Sequence, residues 1–263
     1  VHKNKEAKSV IHNTAIIDPS AKIANNVHIG PYSVIGADVE IGEGTWIGPH
    51  VVIQGPTRIG RDNRIFQFSS IGEMPQDLKF KGEKTYLEIG DGNTIREFCT
   101  FNRGTAQDKV VTKIGNDNLF MAYVHIAHDC VVGNHTIFSN NASLAGHAVI
   151  EDYVILGGFS GVFQRCRVGA HGFIATNSVV IKDVPPFVKV SGYYAKPFGL
   201  NTVGLQRRGF AEEVLTELRR AYKIIYRNGL TVAKAIEELQ KMQTPEIHQL
   251  IQFIETSNIG IVR

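Results

Sequence analysis

Isoleucine recurs at every sixth position from Ile11 to Ile71, through Ile17, Ile23, Ile29, Ile35, Ile41, Ile47, Ile53, Ile59 and Ile65. A period of six matches neither the 3.6 residues of a helical turn nor the simple alternation of a long strand. It describes short flat segments joined by sharp turns, each sending one large aliphatic side chain inward. Glycine often follows the isoleucine, as at Gly30, Gly36, Gly42, Gly48 and Gly60. The pattern resumes at Ile89, Ile95 and Phe101, shifts by one residue, and runs again from Ile114 to Val180. Three hexads close one triangular coil, so residues 18 apart lie above one another, and stacked coils bury a continuous core. About 26 hexads make roughly nine coils, a prism roughly 40 Å long at the ~4.8 Å spacing of neighbouring strands. The expected fold class is an all-β solenoid, a parallel β-helix of hexapeptide repeats.

Two polar stretches interrupt the ladder. Residues 72–88 leave the core pattern but keep its phase, and residues 104–112 (GTAQDKVVT) break the phase by one. Both are expected as loops extruded from the prism, the kind of segment that carries function on a rigid scaffold. Pro185-Pro186 cannot continue a β ladder, so the repeat is expected to end there. The sequence thus divides into a β-helix over 1–190 and a helical domain over 191–263. One helix is predicted over Phe210–Arg227, with Val214, Leu218, Ala221, Ile224 and Ile225 on one face. Thr231 is the expected N-cap of a second helix reaching Met242, and Thr244-Pro245 supplies a cap and an N1 proline for a third. This tail is expected to cap the open end of the prism and cover its strand edges.

Composition removes several function classes. With 28 basic against 25 acidic residues and a net charge of +3, the chain has no strong electrostatic pull toward nucleic acid. Cys99, Cys130 and Cys166 are too few and too widely spaced for a disulfide framework or a zinc knuckle, which fits a reducing cytoplasm. No basic stretch followed by an apolar core opens the sequence, and no apolar run approaches the ~18 residues of a membrane helix.

Coil geometry turns sequence spacing into contact. In the run His125-Ile126-Ala127-His128-Asp129-Cys130, Ile126 points inward and His128 faces out. Steps of 18 place Gly146 and then Gln164 above His128, and His147 and then Arg165 above Asp129. Asn140, Gly158 and Thr176 form a neighbouring column. Histidine is the natural general base near neutral pH, and adjacent Asp129 can fix its tautomer. Gly146 can offer an unhindered N–H to a developing oxyanion. No Ser or Cys stands in a nucleophile pattern, so direct transfer is easier to write than a covalent intermediate. A metal site is not expected: carbonic anhydrases of the γ type, built on this scaffold, use a His-x4-His pair, and no two of the ten histidines are five apart.

The residues then match a known family. The whole chain closely resembles the UDP-N-acetylglucosamine O-acyltransferases that open lipid A synthesis. The resemblance is carried by Ile71-Gly72-Glu73 with Gln76-Asp77-Leu78-Lys79, by the His125–Cys130 run, and by Asn140-Asn141-Ala142 with Leu144-Ala145-Gly146-His147. It continues through Asp183-Val184-Pro185-Pro186 and Pro197-Phe198-Gly199 to Gly204-Leu205-Gln206-Arg207-Arg208-Gly209-Phe210. The resemblance implies a left-handed β-helix, a homotrimer with sites between subunits, no cofactor, and a 3-hydroxyacyl group carried by acyl carrier protein as donor. It implies His128 as general base, Asp129 as its orienting partner, and the Gly146 N–H as oxyanion donor. Gln76, Asp77 and Lys79 then look like sugar-nucleotide contacts. Asn201, Arg207 and Arg208 look like contacts to uridine and phosphates, which guanidinium forks suit. Asn141, His147 and Gln164 match positions that hold the sugar, the pantetheine arm or the acyl chain.

The chain departs from the family pattern at four places. Val203 stands where Glu is expected, and Asn102, Phe163 and Tyr194 where His is expected, which weakens the nucleotide assignments more than the base. Thr176 occupies the acyl-length ruler position, where Gly leaves the groove open, so a shorter acyl chain is expected. Two enzyme rivals are the N-acyltransferase of the same pathway, which usually carries an extra N-terminal domain, and small coenzyme A-dependent acetyltransferases, which tend to lack the helical tail. A non-catalytic ice-binding β-helix would show regular outer Thr rows, which this sequence lacks. Arg165, Arg167, Lys182 and Lys189 are the expected docking patch for the acidic carrier protein.

Overall fold

A computed structural model describes residues 9–263 as a left-handed parallel β-helix with four helices at its C-terminal end. Short strands, mostly of two residues, stack into three sheets of eleven, nine and eight strands, parallel but for the last strand of the largest, that form the faces of a triangular prism. The hexad register holds: His28↔Trp46 and Ile29↔Ile47 pair on one face, His125↔Ser143 and Ile126↔Leu144 on the next, Val131↔Val149 and Val132↔Ile150 on the third. Ile29, Ile35, Ile47, Ile53, Ile65, Ile71, Ile95, Phe101, Phe120, Ile126 and Phe138 are wholly buried. Midway the core is filled by Phe101, Phe120 and Phe138, whose successive ring centroids lie 4.9 Å apart.

Each coil turns three corners, and many corner residues adopt the left-handed conformation although they are not glycine. Asp38, Tyr123, Asp129, His147, Arg165 and His171 lie between φ 55° and 66°. That conformation is costly for most L-residues. Stacking along the corner offsets the cost. One corner carries a continuous pile of Tyr32, His50, Phe68, Phe98 and Tyr123. Another carries His135, Tyr153, His171 and Phe187, onto which Phe210 packs edge-on.

Both extruded loops are shorter than their sequence signatures. Strands Ser70–Glu73 and Tyr86–Ile89 trim the first to 74–85, and strands Thr100–Asn102 and Val111–Ile114 trim the second to 103–110. Leu87 and Thr112 face inward and are fully buried, so both ends of the first predicted loop and the C-terminal end of the second are sheet. Nor does the ladder stop at Pro185-Pro186. Strand Val188–Ser191 pairs in parallel with Phe173–Ile174 and then turns back as an antiparallel hairpin with Lys196–Leu200, so residue 190 lies inside a hairpin.

Four helices follow: α1 Thr202–Arg207, α2 Glu212–Tyr226, α3 Val232–Leu239 and α4 Pro245–Glu255. The six-residue α1, capped by the Asn201 side chain, has no amphipathic repeat and leaves no periodic trace in sequence. Thr231 caps α3 through its hydroxyl, whereas Thr244 makes no side-chain capping bond before Pro245. Leu215, Leu218, Ile225, Leu239, Ile247 and Leu250 form a second core with Phe187 of the prism.

An amide ladder runs inside the prism. Asn93 Nδ2 donates to Asn63 Oδ1 at 3.0 Å and to Gly115 O at 2.9 Å, and Asn93 Oδ1 accepts from the Asn118 backbone N–H at 3.0 Å. Replacing it with an isosteric hydrocarbon leaves buried donors and acceptors unpaired, each costing about 1–3 kcal/mol. Asn93→Leu is therefore expected to lower the apparent unfolding free energy at fixed protein concentration by about 2–4 kcal/mol. An unfolding midpoint indistinguishable from the parent's contradicts the ladder's structural role.

Candidate active site

The site forms at the corner between the face bearing His125–Ile126 and the face bearing Val131–Val132. Ile126 anchors the coil inward, and the chain then turns through Asp129 at φ 58°. This turn aims the two consecutive side chains at each other: His128 Nδ1 meets Asp129 Oδ2 at 2.9 Å. Asp129 is fully buried. Its carboxylate accepts the Thr105 backbone N–H at 3.0 and 3.1 Å and the Thr105 hydroxyl at 2.6 Å. Its backbone N–H donates to Thr112 Oγ1 at 2.8 Å. Burial pushes the Asp129 carboxyl up, but hydrogen bonds from His128 and Thr105 outweigh it and hold the group below its ordinary value. A buried carboxylate so gripped stays ionised and keeps its proton partner on the imidazole.

One coil on, His147 sits over Asp129, as the spacing of 18 requires. The His147 N–H donates to His128 O at 3.0 Å, and the two rings stand perpendicular with centroids 5.0 Å apart. Gly146 lies against His128, and a Cβ built there would come within 2.6 Å of His128 Cε1 and 2.7 Å of Nε2. Bare backbone is therefore needed for His128 to lie where it does. Among the described residues the Gly146 N–H has no protein acceptor. Gln164, the next residue of the column, is exposed at the surface. Cys130 points into the core, where burial pushes its thiol up to about 12, and it carries no nucleophile's environment.

His128, Asp129 and His147 also bring ligand-type atoms within 4.8 Å of one another, a grouping that the sequence test for His-x4-His could not detect. In this structure both histidine Nδ1 atoms engage carboxylates, so the cluster reads as two hydrogen-bonded pairs.

Thr105 and Asp108, absent from the sequence reasoning, lie on the 103–110 loop. Asp108 Oδ2 meets His147 Nδ1 at 2.5 Å. These contacts span 24 and 39 residues. They ignore the 18-residue period because a seven-residue excess separates Ile89 from its partner Ile114, and only the polar bias of the loop marked it. Asn102, 3% exposed, roots this loop by donating to Met74 O at 3.0 Å on the other loop.

The remaining predicted residues are dispersed. Gln76, Asp77 and Lys79 sit on the 74–85 loop, where Asp77 Oδ1 closes a tight turn by accepting from Lys79 N at 2.9 Å. Gln107 Nε2 reaches Lys79 O at 3.5 Å, so the two loops touch. Asn201 is buried, with Nδ2 on His171 O at 3.0 Å and Oδ1 capping α1. Arg208 donates to Tyr153 O at 3.1 Å and lies over the Tyr153 ring, while Arg207 is exposed. Asn141 occupies the aromatic corner at φ 61°. Thr176 is exposed above Gly158 and Asn140, with the backbone of that column linked through Asn177 N to Gly158 O. Val203 and Tyr194 are exposed. Phe163, also exposed, lines an apolar hollow with His125, Gly161, Val162 and Val179. Of the expected docking patch, Arg167 is held by Glu151, Thr256 and the Phe253 ring, and Lys189 lies over Phe173 and Phe198, while Arg165 and Lys182 are exposed.

The Thr105 hydroxyl bond to Asp129 is a hydrogen bond to a charged group, worth about 1.5–3 kcal/mol. Thr105→Val keeps the shape and removes that donor. If Asp129 orients a catalytic imidazole, kcat/KM is expected to fall about tenfold or more, since each 1.4 kcal/mol is a factor of ten. The folded-state pKa of Asp129 is depressed, so its contribution to stability is present above the unfolded value and lost as pH falls through the folded one. Thr105→Val raises the folded value, and acid unfolding should begin at a higher pH than in the parent. An unchanged acid transition overturns this account.

Comparison with known proteins agrees with the architecture. A family model described as UDP-N-acetylglucosamine O-acyltransferase, domain 2, matches residues 183–262, and the bacterial transferase hexapeptide model matches 8–41, 38–65 and 112–146. The acyl-[acyl-carrier-protein]--UDP-N-acetylglucosamine O-acyltransferase of Thiobacillus denitrificans is 59% identical over 97% of this chain and all of its own length. The enzyme of the same name from Herminiimonas arsenicoxydans is 54% identical, with the same coverage. The solved structure of LpxA from Acinetobacter baumannii superposes with a TM-score of 0.94 at 51% identity, covering 97% of this chain and 100% of its own. With its hexad prism, its helical cap and relatives of this closeness, the chain belongs to the UDP-N-acetylglucosamine O-acyltransferase family.

Proposed function

We propose that this protein transfers a 3-hydroxyacyl group from acyl carrier protein to the 3-hydroxyl of UDP-N-acetylglucosamine, the first step of lipid A synthesis, by direct attack with His128 as general base. The observation that carries the reading is the His128–Asp129 pair: Nδ1 faces a buried, ionised carboxylate, so Nε2 is the basic nitrogen beside Gly146. His128 Nε2 takes the proton of the sugar hydroxyl as its oxygen attacks the thioester carbonyl. The tetrahedral oxyanion accepts the Gly146 N–H. The C–S bond then breaks, and the proton passes from the imidazolium to the departing pantetheine sulfur. Asp129 stabilises the imidazolium throughout.

Gln76, Asp77 and Lys79 bind the sugar nucleotide, Arg207 and Arg208 its phosphates, and Asn201 shapes the uridine pocket through the helix it caps. Asn141, His147 and Gln164 hold the sugar, pantetheine or acyl chain. The apolar hollow beside His125 suits the acyl chain. No cofactor or metal takes part. Arg165 and Lys182 are the best placed of the basic residues for docking the acidic carrier.

A homotrimer is supported by the chemistry of the three faces. One face presents over its N-terminal part an alternating column, Lys22, Glu40, Arg58, Glu88 and Lys113, with Lys22–Glu40 at 2.6 Å and Lys113–Glu88 at 3.6 Å, suited to water, which Val131, Val149 and Arg167 then continue. The other two present Leu119, Ile137, Ile155 and Phe173, and His125, Ser143, Gly161 and Val179. A prism with two weakly polar faces and a third that is charged over its N-terminal part can meet two neighbours in a closed ring. His128 lies at the edge between the face bearing His125 and Ser143 and the face bearing Val131 and Val149, weakly polar on both sides, the place for a cleft between subunits. Among the described residues no helix is long and apolar enough to cross a membrane, and we place the protein in the cytoplasm, where its donor and acceptor are made.

Two measurements test the reading. His128→Ala is expected to lower kcat by about 10²–10⁴-fold, the range for losing a general base, with the oligomer intact by sedimentation. Retained turnover sinks the base assignment. Thr176 should limit chain length, so a panel of 3-hydroxyacyl carrier proteins is expected to show a preference for shorter chains that Thr176→Gly moves to longer ones. No shift in that preference eliminates the ruler.

A further inference from the structure

The 103–110 loop grips the candidate site at two points, and only one concerns the base pair. Thr105 holds Asp129. Asp108, three residues on, holds His147 through Nδ1. The hydrogen-bonded pair is well covered for a loop contact, with the His147 side chain 13% exposed and that of Asp108 31%. His147 Nδ1 is also 3.9 Å from Asp129 Oδ2, so one imidazole nitrogen faces two carboxylates. Nδ1 therefore carries a proton. Among the described residues Nε2 has no protein partner, and the ring stands at 90° to that of His128. The corner conformation of His147, at φ 65°, turns this side chain along the prism edge toward its neighbour.

We propose that Asp108 is a positioning residue for the acyl transfer: it accepts the Nδ1–H of His147 and so presents Nε2 as a hydrogen-bond acceptor next to His128. There it takes a hydrogen bond from a donor on the acceptor sugar adjacent to the reacting hydroxyl, either a neighbouring hydroxyl or the N-acetyl N–H. The site then holds two histidines with parallel arrangements and different tasks. His128, backed by Asp129, accepts the proton that is transferred. His147, backed by Asp108, accepts a hydrogen bond that orients the sugar. Gln107, the residue before Asp108, contacts Lys79 O, so this loop ties the sugar-orienting histidine to the loop bearing Gln76, Asp77 and Lys79. The inference rests on the acyl-transfer reading for its substrate, but its structural half does not.

Selective ¹⁵N-histidine labelling of the full-length protein, with His147→Ala to assign the resonance, reports the His147 tautomer directly. In the parent, His147 is expected as the neutral Nδ1–H form, and Asp108→Ala should shift it toward the Nε2–H form. In steady state Asp108→Ala and Asp108→Asn are expected to raise KM for the sugar nucleotide about tenfold with a smaller change in kcat, and Asp108→Glu to restore most of it. Because Asp108 acts through His147, adding Asp108→Ala to His147→Ala should cost nothing further. An unchanged tautomer, an additive double variant, or a loss of thermal stability with KM unmoved overturns the proposal. If His128→Ala keeps its activity, the base assignment falls, and the tautomer measurement still decides the role of Asp108.

Discussion

Everything in this molecule depends on the coil-to-coil hydrogen-bond register. Backbone bonds such as Ile16 N to Ser33 O, Val34 N to Val51 O and Val52 N to Ser69 O repeat up each face. Because each strand is so short, no single coil buries a core alone, and the fold is stable only as a stack. The register also forces three sharp corners per coil. Residues placed there pay backbone strain and recover it through contact with the residue one coil away. The aromatic pile from Tyr32 to Tyr123 is one such recovery. The His128–Asp129–His147 cluster is another, with side-chain hydrogen bonds in the place of ring stacking. The same constraint that builds a structural corner therefore preorganises a chemical one, without a separate scaffold to hold the groups.

How much of this could be read beforehand follows from range and period. The prism was legible because Ile11 to Ile71 repeat without error, and the pairing of Asp129 with His147 was legible because it is a single step of 18. Contacts made by a loop have no period. Nothing about Thr105 or Asp108 in the sequence announces Asp129 or His147, since the excess residues between Ile89 and Ile114 remove the phase that would connect them. The hairpin over Val188–Ser191 and Lys196–Leu200 was obscured by the prolines before it and by Pro197 and Gly199 within it. Pro185-Pro186 read as the end of the ladder. Pro197 and Gly199 are tolerated because the strand bearing them, Lys196–Leu200, lies at the end of its sheet, where one side needs no further partner.

The C-terminal helices are joined to the prism at a corner opposite in chemistry to the candidate catalytic one. His171 is stacked between Tyr153 and Phe187, and Phe210 packs against its edge. Burial, with Arg208 adding to it, pushes its imidazole down to about 4, so the ring is neutral packing material near neutral pH. A histidine is thus an inert aromatic at one corner and, at another, a carboxylate-paired imidazole proposed as the base. Residue type alone could not separate the two. What separates them is the partner: among the described residues His171 Nδ1 is buried without one, whereas His128 Nδ1 has an ionised carboxylate at 2.9 Å.

Gly146 shows how tightly the site is built. Its position must satisfy two requirements at once. In the proposed mechanism the N–H has to be unhindered and unpaired for an oxyanion to reach it, and the α-carbon has to be bare for the His128 ring to lie across it, since a methyl group there would overlap Cε1 and Nε2. Its φ is not in the left-handed range, so conformational freedom is not the reason for glycine here. The requirement is steric, and it is set by the coil spacing: the strands are about 4.8 Å apart, and an imidazole occupies most of that gap. Alanine would have to push His128 away from either Asp129 or the reacting hydroxyl. In a stack of fixed pitch, placing a base in one coil therefore dictates the residue directly above it in the next.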